Sequence, residues 1–180
     1  MVSWSKIARR SRVPLGFVLA AAYLLLADPI PLSLAVGVLF IVPGLMIRAL
    51  ASGHVAKNER LATSGPYAYT RNPLYFGSLI MAIGFVFAAR SLWVLALVSV
   101  MFVAVYLPVI RAEEVFLAQH FPEFAEYSRR VPKLIPTLAT AYPPRWNFSR
   151  QLYLKHREYN AALGSAAILA ILVLKWRLLS

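Results

Sequence analysis

Three short stretches hold the side chains best suited to chemistry. Arg71-Asn72-Pro73-Leu74-Tyr75 sets a guanidinium, an amide and a phenol within five positions. Arg111-Ala112-Glu113-Glu114 puts two adjacent carboxylates in a chain with only seven acidic residues. Phe121-Pro-Glu-Phe-Ala-Glu-Tyr127 runs into Val131-Pro132-Lys133-Leu-Ile-Pro136. A guanidinium beside a helix N-terminus suits a carboxylate or phosphate, because both present N–H donors to an anion. An ionisable residue facing the interior of a membrane protein is a functional candidate, which singles out the carboxylates at 113 and 114. Neighbouring positions on a helix differ by about 100°, so one glutamate can face the helix bundle while the other faces water or Arg111. The plain alternative is that Glu114 pairs with Arg111 three residues earlier. Tyr67, Tyr69 and Tyr75 cluster at a membrane entrance, where a single tyrosine is more often an interfacial anchor than a ligand group.

These stretches lie between apolar runs. Five runs stand out: Val13 to Ala27, Leu32 to Ile47, Leu74 to Ala89, Ser91 to Ile110, and Ala161 to Leu174. Spanning a bilayer takes about 20 residues, a length that only the fourth run reaches unaided. The others need flanking Lys, Arg, Trp or Tyr to extend them. For the fifth run those flanks are Tyr159, Lys175, Trp176 and Arg177; a helix lying in the interface is its alternative. The expected fold is therefore all-α, an integral membrane bundle of about five transmembrane helices. Pro43 and Pro108 fall inside the second and fourth runs and are expected to kink them. Gly65 and Pro66 make a turn. Pro73 suits the first turn of the third helix, with Asn72 as its N-cap. The chain is read as one membrane domain: an N-terminal helical hairpin over 1–50, the chemical core over 61–136, and a C-terminal segment with the last helix over 137–180.

Composition agrees with this class. Sixty per cent of the 180 residues are apolar and 14% are charged, too apolar for a soluble domain of this size. The net charge of +12 would suggest nucleic acid in a soluble protein. Here the basic residues sit beside apolar runs, so membrane lipids are the expected partner and nucleic acid is not. Sixteen of nineteen Lys and Arg fall on one side if the runs alternate, which puts the N-terminus and both long connections in the cytoplasm. Lys6, Arg9, Arg10 and Arg12 before Val13 resemble a signal peptide. The short turn Asp28-Pro-Ile-Pro31 leading to the next run favours a retained hairpin instead. With no cysteine, disulfides, thiolate metal sites and a cysteine nucleophile are excluded. No metal ligand set is expected.

In this order, the three stretches resemble the superfamily of isoprenylcysteine carboxyl methyltransferases and phospholipid methyltransferases. The matching positions are Gly65, Pro66, Tyr67, Arg71, Pro73, Tyr75, Glu113, Glu114, Tyr127, Val131, Pro132 and Pro136. Asn72 stands where many members have His, and Lys133 where Arg is usual. Asn cannot act as a base near neutral pH. Pro122 and Phe124 also replace the common Gly and Tyr. The resemblance implies an S-adenosylmethionine pocket at the cytoplasmic ends of the later helices, closed by the C-terminal segment. It implies Arg71, Glu113 and Glu114 as catalytic residues. Tyr67, Arg71, Asn72, Tyr75, Glu113, Glu114, Tyr127 and Pro132 would bind the cofactor.

The implied activity is methyl transfer to a lipophilic or membrane-embedded carboxylate or amine. The acceptor is expected to enter sideways from the bilayer, and its site to lie between the second, third and fourth helices, lined partly by small residues such as Gly77, Ser78 and Gly84. An NADPH-dependent membrane reductase and a non-catalytic membrane protein are the alternatives. The adjacent glutamates and the compact size favour methyl transfer. The sequence leaves the acceptor and the oligomeric state open.

Overall fold

Two glycines on each of two helices, seven residues apart, bring those helices into backbone contact. Gly37 and Gly44 lie on α2 (Pro31–Ser52), and Gly77 and Gly84 lie on α3 (Pro73–Ala89). Seven residues are close to two helical turns, so each pair shares one face. A Cβ placed on Gly44 would stand 2.7 Å from the Gly77 carbonyl oxygen, and one on Gly84 would stand 2.6 Å from the Gly37 carbonyl oxygen. Lipid tails are as apolar as leucine, so close packing of this kind is what holds membrane helices together.

The computed structural model describes residues 16, 18–56, 59–140, 142–143 and 145–179, and all regular structure among them is helical. The basic cluster Lys6 to Arg12, the start of the first apolar run and Pro144 lie outside the described residues. Helix α1 covers 18–26. After α3 comes a continuous helical run made of α4 (Leu92–Met101), a π turn (Phe102–Tyr106) and α5 (Leu107–His120). Then follow α6 (Phe124–Arg130), α7 (Arg150–Lys155) and α8 (Tyr159–Leu179).

Among the described residues, three helices are long and apolar enough to cross a membrane: Pro31–Ser52, Leu92–His120 and Tyr159–Leu178. Helix α3 is apolar but has 17 residues. The final helix is longer than the 14-residue apolar run from Ala161 to Leu174 suggests, because polar and aromatic flanks extend it at both ends. Lys175 donates to the carbonyls of Leu24, Leu25 and Ala27, so its ammonium caps the end of α1.

The two prolines behave differently. Helix α2 runs on through Pro43 as one helix. Before Pro108 the chain widens into the π turn, where the Leu107 N–H reaches the Phe102 carbonyl five residues back. A π turn is a known way to absorb a disturbed hydrogen-bond ladder.

At the end of the bundle holding Asp28 and Arg90, Tyr23, Leu34, Ala88, Val94 and Leu172 form one core drawn from five helices. Asp28 N–H donates to the Ala89 carbonyl there, tying the turn between α1 and α2 to the end of α3. The ends of α2 and α5 and the starts of α3 and α8 gather at the opposite end, where the chemically capable side chains lie.

Candidate functional site

The turn before α3 is built first. Gly65 has φ 56, which favours glycine, and it opens the 3-10 turn Gly65–Ala68. A side chain there would also meet the His54 ring at 2.5 Å. Residues 69–72 then run alongside residues 132–137. Arg71 N–H donates to the Pro132 carbonyl at 2.9 Å, and Thr137 N–H donates to the Tyr69 carbonyl at 3.0 Å. The Thr70 hydroxyl donates to the Leu134 carbonyl at 2.9 Å. Pro132 thus contributes a carbonyl that fixes the backbone of Arg71.

Glu114 sits inside this arrangement. Lys133 Nζ lies 2.8 Å from its Oε2, and Arg71 Nε lies 3.4 Å from its Oε1. Asn72 Nδ2 donates to Oε1 at 3.2 Å and to the Lys133 carbonyl at 2.9 Å. The plain pairing of Glu114 with Arg111 does not occur: Arg111 is exposed, and the carboxylate faces Arg71 and Lys133 instead. Asn72 holds the N-cap position of α3, but its side chain makes no cap hydrogen bond. Its amide is turned to Glu114 because the strap at 131–134 supplies an acceptor at that point. Arg71 Nε is buried and makes no hydrogen bond, since its approach to Glu114 is long. The guanidinium lies 5.9 Å from the centroid of the Phe124 ring.

Glu113 has a different setting. Its side chain is exposed, and its Oε1 accepts from the Tyr75 hydroxyl at 2.9 Å. Tyr75 is buried and packs edge-on against Tyr106 of the π turn. Tyr67 is buried too; burial, then the charge of neighbours including Glu113 and Glu158, pushes its phenol upward. Tyr127 is 2% exposed, and its hydroxyl donates to the Tyr67 carbonyl at 2.8 Å. Burial raises its phenol as well, with Arg71 opposing. Both phenols therefore stay neutral well past neutrality.

Sequence reasoning missed Arg48 and Glu158. Arg48, near the end of α2, pairs with Glu158 and donates to Ser78 Oγ and the Leu74 carbonyl. Arg48 closes an apolar run, where a snorkelling reading hides it. Glu158 follows Arg157, a non-glycine residue at φ 51, in the turn between α7 and α8. The C-terminal segment wraps the end of α2 around this pair: Ser149 N–H donates to the Gly53 carbonyl, and His156 Nδ1 lies 3.1 Å from the Ser52 carbonyl.

Two cavities flank these groups. One is polar, about 420 Å³, lined by His54, Arg60, Thr63, Ser64, Tyr142 and Arg145 among others. The other is apolar, about 230 Å³, lined by residues of α1, α3, the α4–π run and α8, including Tyr23, Ser78, Ala82, Phe102, Tyr106 and Ile168. Of the small residues Gly77, Ser78 and Gly84, Ser78 lines this cavity. Gly77 and Gly84 are buried in the seam against α2, so α2 is not a wall of the apolar cavity.

Comparison with known proteins agrees with the motif stretch. The phospholipid methyltransferase family model matches residues 46–123. The chain is 47% identical over 83 residues to a cobalt-zinc-cadmium resistance protein of Cupriavidus metallidurans, covering 46% of this chain and 38% of that one. It is 36% identical over 83 residues to a nickel-cobalt-cadmium resistance protein of Alcaligenes xylosoxydans xylosoxydans, covering 46% and 39%. The match thus spans about two fifths of the length of these relatives. No solved structure shows a significant match. The stretch that matches the phospholipid methyltransferase family, residues 46–123, carries Tyr67, Arg71, Tyr75 and both adjacent glutamates, so the family model and the motifs point to the same superfamily resemblance.

Proposed function

We propose that this membrane protein transfers a methyl group from S-adenosylmethionine to a lipophilic acceptor. The observation that carries the reading is the exposed Glu113 carboxylate on the hydroxyl of Tyr75, whose ring packs against Tyr106 in the lining of an apolar cavity. A polar cationic cofactor and an apolar acceptor have suitable surroundings within one helix of each other.

The residues present fit the cofactor. Glu113 suits its cationic part, and the faces of Tyr67 and Tyr75 favour positive charge. Arg71 offers a buried Nε–H without a hydrogen bond, suited to a carboxylate. Glu114, Asn72, Lys133 and Pro132 hold Arg71 and the start of α3 in place, and Tyr127 fixes Tyr67 from below. The cofactor supplies an activated methyl on a sulfonium, and in-line transfer to a nucleophile leaves a neutral thioether. The protein aligns the two reactants and excludes water, effects that account for much of such a rate. No general base is required for a carboxylate acceptor, whereas an amine acceptor must arrive neutral.

The acceptor's apolar part occupies the cavity between α1, α3, the α4–π run and α8. The site end faces the cytoplasm, following the basic excess of its connections. The relatives' names add a second reading, a part in resistance to divalent metal ions, which concerns what the methylation serves. Among the described residues no group of three or more His, Asp or Glu side chains is placed to hold a metal ion.

The test is direct. Purified protein in lipid nanodiscs should bind S-adenosylmethionine, and extracted membranes should show a methylated lipid or small molecule by mass spectrometry only when the protein is present. Binding of NADPH in place of S-adenosylmethionine would replace this reading with the reductase.

A further inference from the structure

Glu158 lies outside the matched segment, at the junction of α7 and α8. Its side chain is only 11% exposed. Arg48 approaches it through both Nε and Nη2, and both contacts fall on Oε1. Among the described residues Oε2 makes no hydrogen bond, yet it is not sealed from solvent. A carboxylate serving only to tie two helices to an arginine gains most by offering both oxygens to the guanidinium fork. Glu158 keeps one oxygen out of that fork.

Its surroundings point the same way. Glu158 and Glu113 both act on the Tyr67 phenol. The Tyr67 hydroxyl itself makes no hydrogen bond among the described residues. Arg48 also donates to Ser78, which lines the apolar cavity. Arg48 is already engaged by Glu158, Ser78 and Leu74. The remaining Glu158 oxygen therefore suits a cation with N–H donors.

We infer that Glu158 Oε2 accepts a hydrogen bond from the ammonium group of a bound ligand, with Arg48 as its positioning residue. The inference rests on the methyl-transfer reading. The ammonium has two sources in that chemistry, the amino-acid end of the cofactor and the amine of an aminolipid.

Glu158→Gln in the full chain separates them. The affinities to measure are those for S-adenosylhomocysteine and its des-amino analogue, and for phosphatidylethanolamine and phosphatidylglycerol. The wild-type chain should prefer the amine-bearing member of one pair about tenfold or more, as a charge-assisted hydrogen bond gives. The variant should lose that preference and bind the amine-free member unchanged. Loss in the first pair places the ammonium on the cofactor; loss in the second places it on the lipid. A folded variant that keeps the wild-type preferences, or a wild type without any, overturns the inference. Should Glu158→Gln not fold, Glu158→Asp keeps the charge and withdraws the oxygen by one methylene. Retained preference in that variant would likewise overturn it. If wild type binds no S-adenosylhomocysteine, the methyl-transfer reading fails on its own, and the lipid pair alone decides the role of Glu158.

Discussion

The Tyr75 hydroxyl donates to Glu113 Oε1 across 2.9 Å, joining the first turn of α3 to the last turns of α5. Glu114, the next residue, turns the other way and meets Lys133 at 2.8 Å. Adjacent carboxylates thus divide the work: one stays exposed beside the tyrosines, and the other clamps the 131–134 strap.

The first prediction follows from that division. Glu113→Gln should leave the melting temperature nearly unchanged and weaken S-adenosylmethionine binding about tenfold or more, since a charge-assisted contact is worth about 1.5–3 kcal/mol. Glu114→Gln should instead lower stability by about 1–3 kcal/mol, because Arg71 and Lys133 lose their shared partner. Thermal unfolding and cofactor titration of both variants check this. Equal stability loss in the two would contradict the division.

The second prediction concerns the glycine seam. Gly44→Leu should destabilise the bundle by about 1–3 kcal/mol or more, because its side chain would run into the Gly77 carbonyl and Met81. Gly16→Leu should cost far less, as nothing lies within 4 Å of its Cβ position. Unfolding in detergent, followed by circular dichroism, compares them.

Much of this was legible in the sequence, for definite reasons. Apolar runs flanked by proline and basic residues mark α2, α3 and the α4–α5 run, because few other structures tolerate such runs. The motif residues at 67, 71, 75, 113 and 114 do come together at one end of the bundle. What stayed hidden depends on contacts across the fold. Arg48 and Glu158 stand 110 positions apart, so no local pattern links them. The roles of Gly77 and Gly84 depend on α2 presenting matching glycines at the same height. Asn72 reads as a cap from its place before Pro73, and only the arrival of Lys133 and Glu114 redirects its amide.

The third prediction is a pH dependence. Tyr67 and Tyr127 both have phenols raised by burial in the folded state. A raised acid keeps its proton more tightly when folded, so its contribution to stability is complete below the unfolded value of about 10 and is lost as pH climbs above it. Stability should therefore be insensitive to these phenols from pH 7 to 9 and fall above about 10. Tyr67→Phe with Tyr127→Phe should flatten that alkaline fall, while removing the Tyr127 bond to the Tyr67 carbonyl costs about 1 kcal/mol at neutral pH. An alkaline limb of unchanged steepness in the double variant would show that other groups cause it.

The fourth prediction is topological. Reporter fusions after Thr63 and after Asn147 should both read cytoplasmic, because the connections holding them carry most of the basic residues. An external signal from either fusion would reverse the proposed orientation of the site.

The last prediction separates the acceptor from the cofactor. Ala82 lines the apolar cavity from α3, across from α1 and the π turn. It carries no polar group and stands two turns along α3 from Tyr75. Ala82→Leu adds three carbons to a cavity of about 230 Å³, enough to crowd an acyl or prenyl chain. The polar groups around Glu113 and Arg71 lie outside that cavity's lining, so cofactor binding has no reason to change. Acceptor turnover should fall severalfold in Ala82→Leu, mainly through a higher KM, with S-adenosylmethionine affinity within about twofold of wild type. A folded variant that loses both in proportion would mean that the cavity and the cofactor site are one space. A variant with unchanged turnover would place the acceptor chain elsewhere, on the outer lipid-facing surface of the helices.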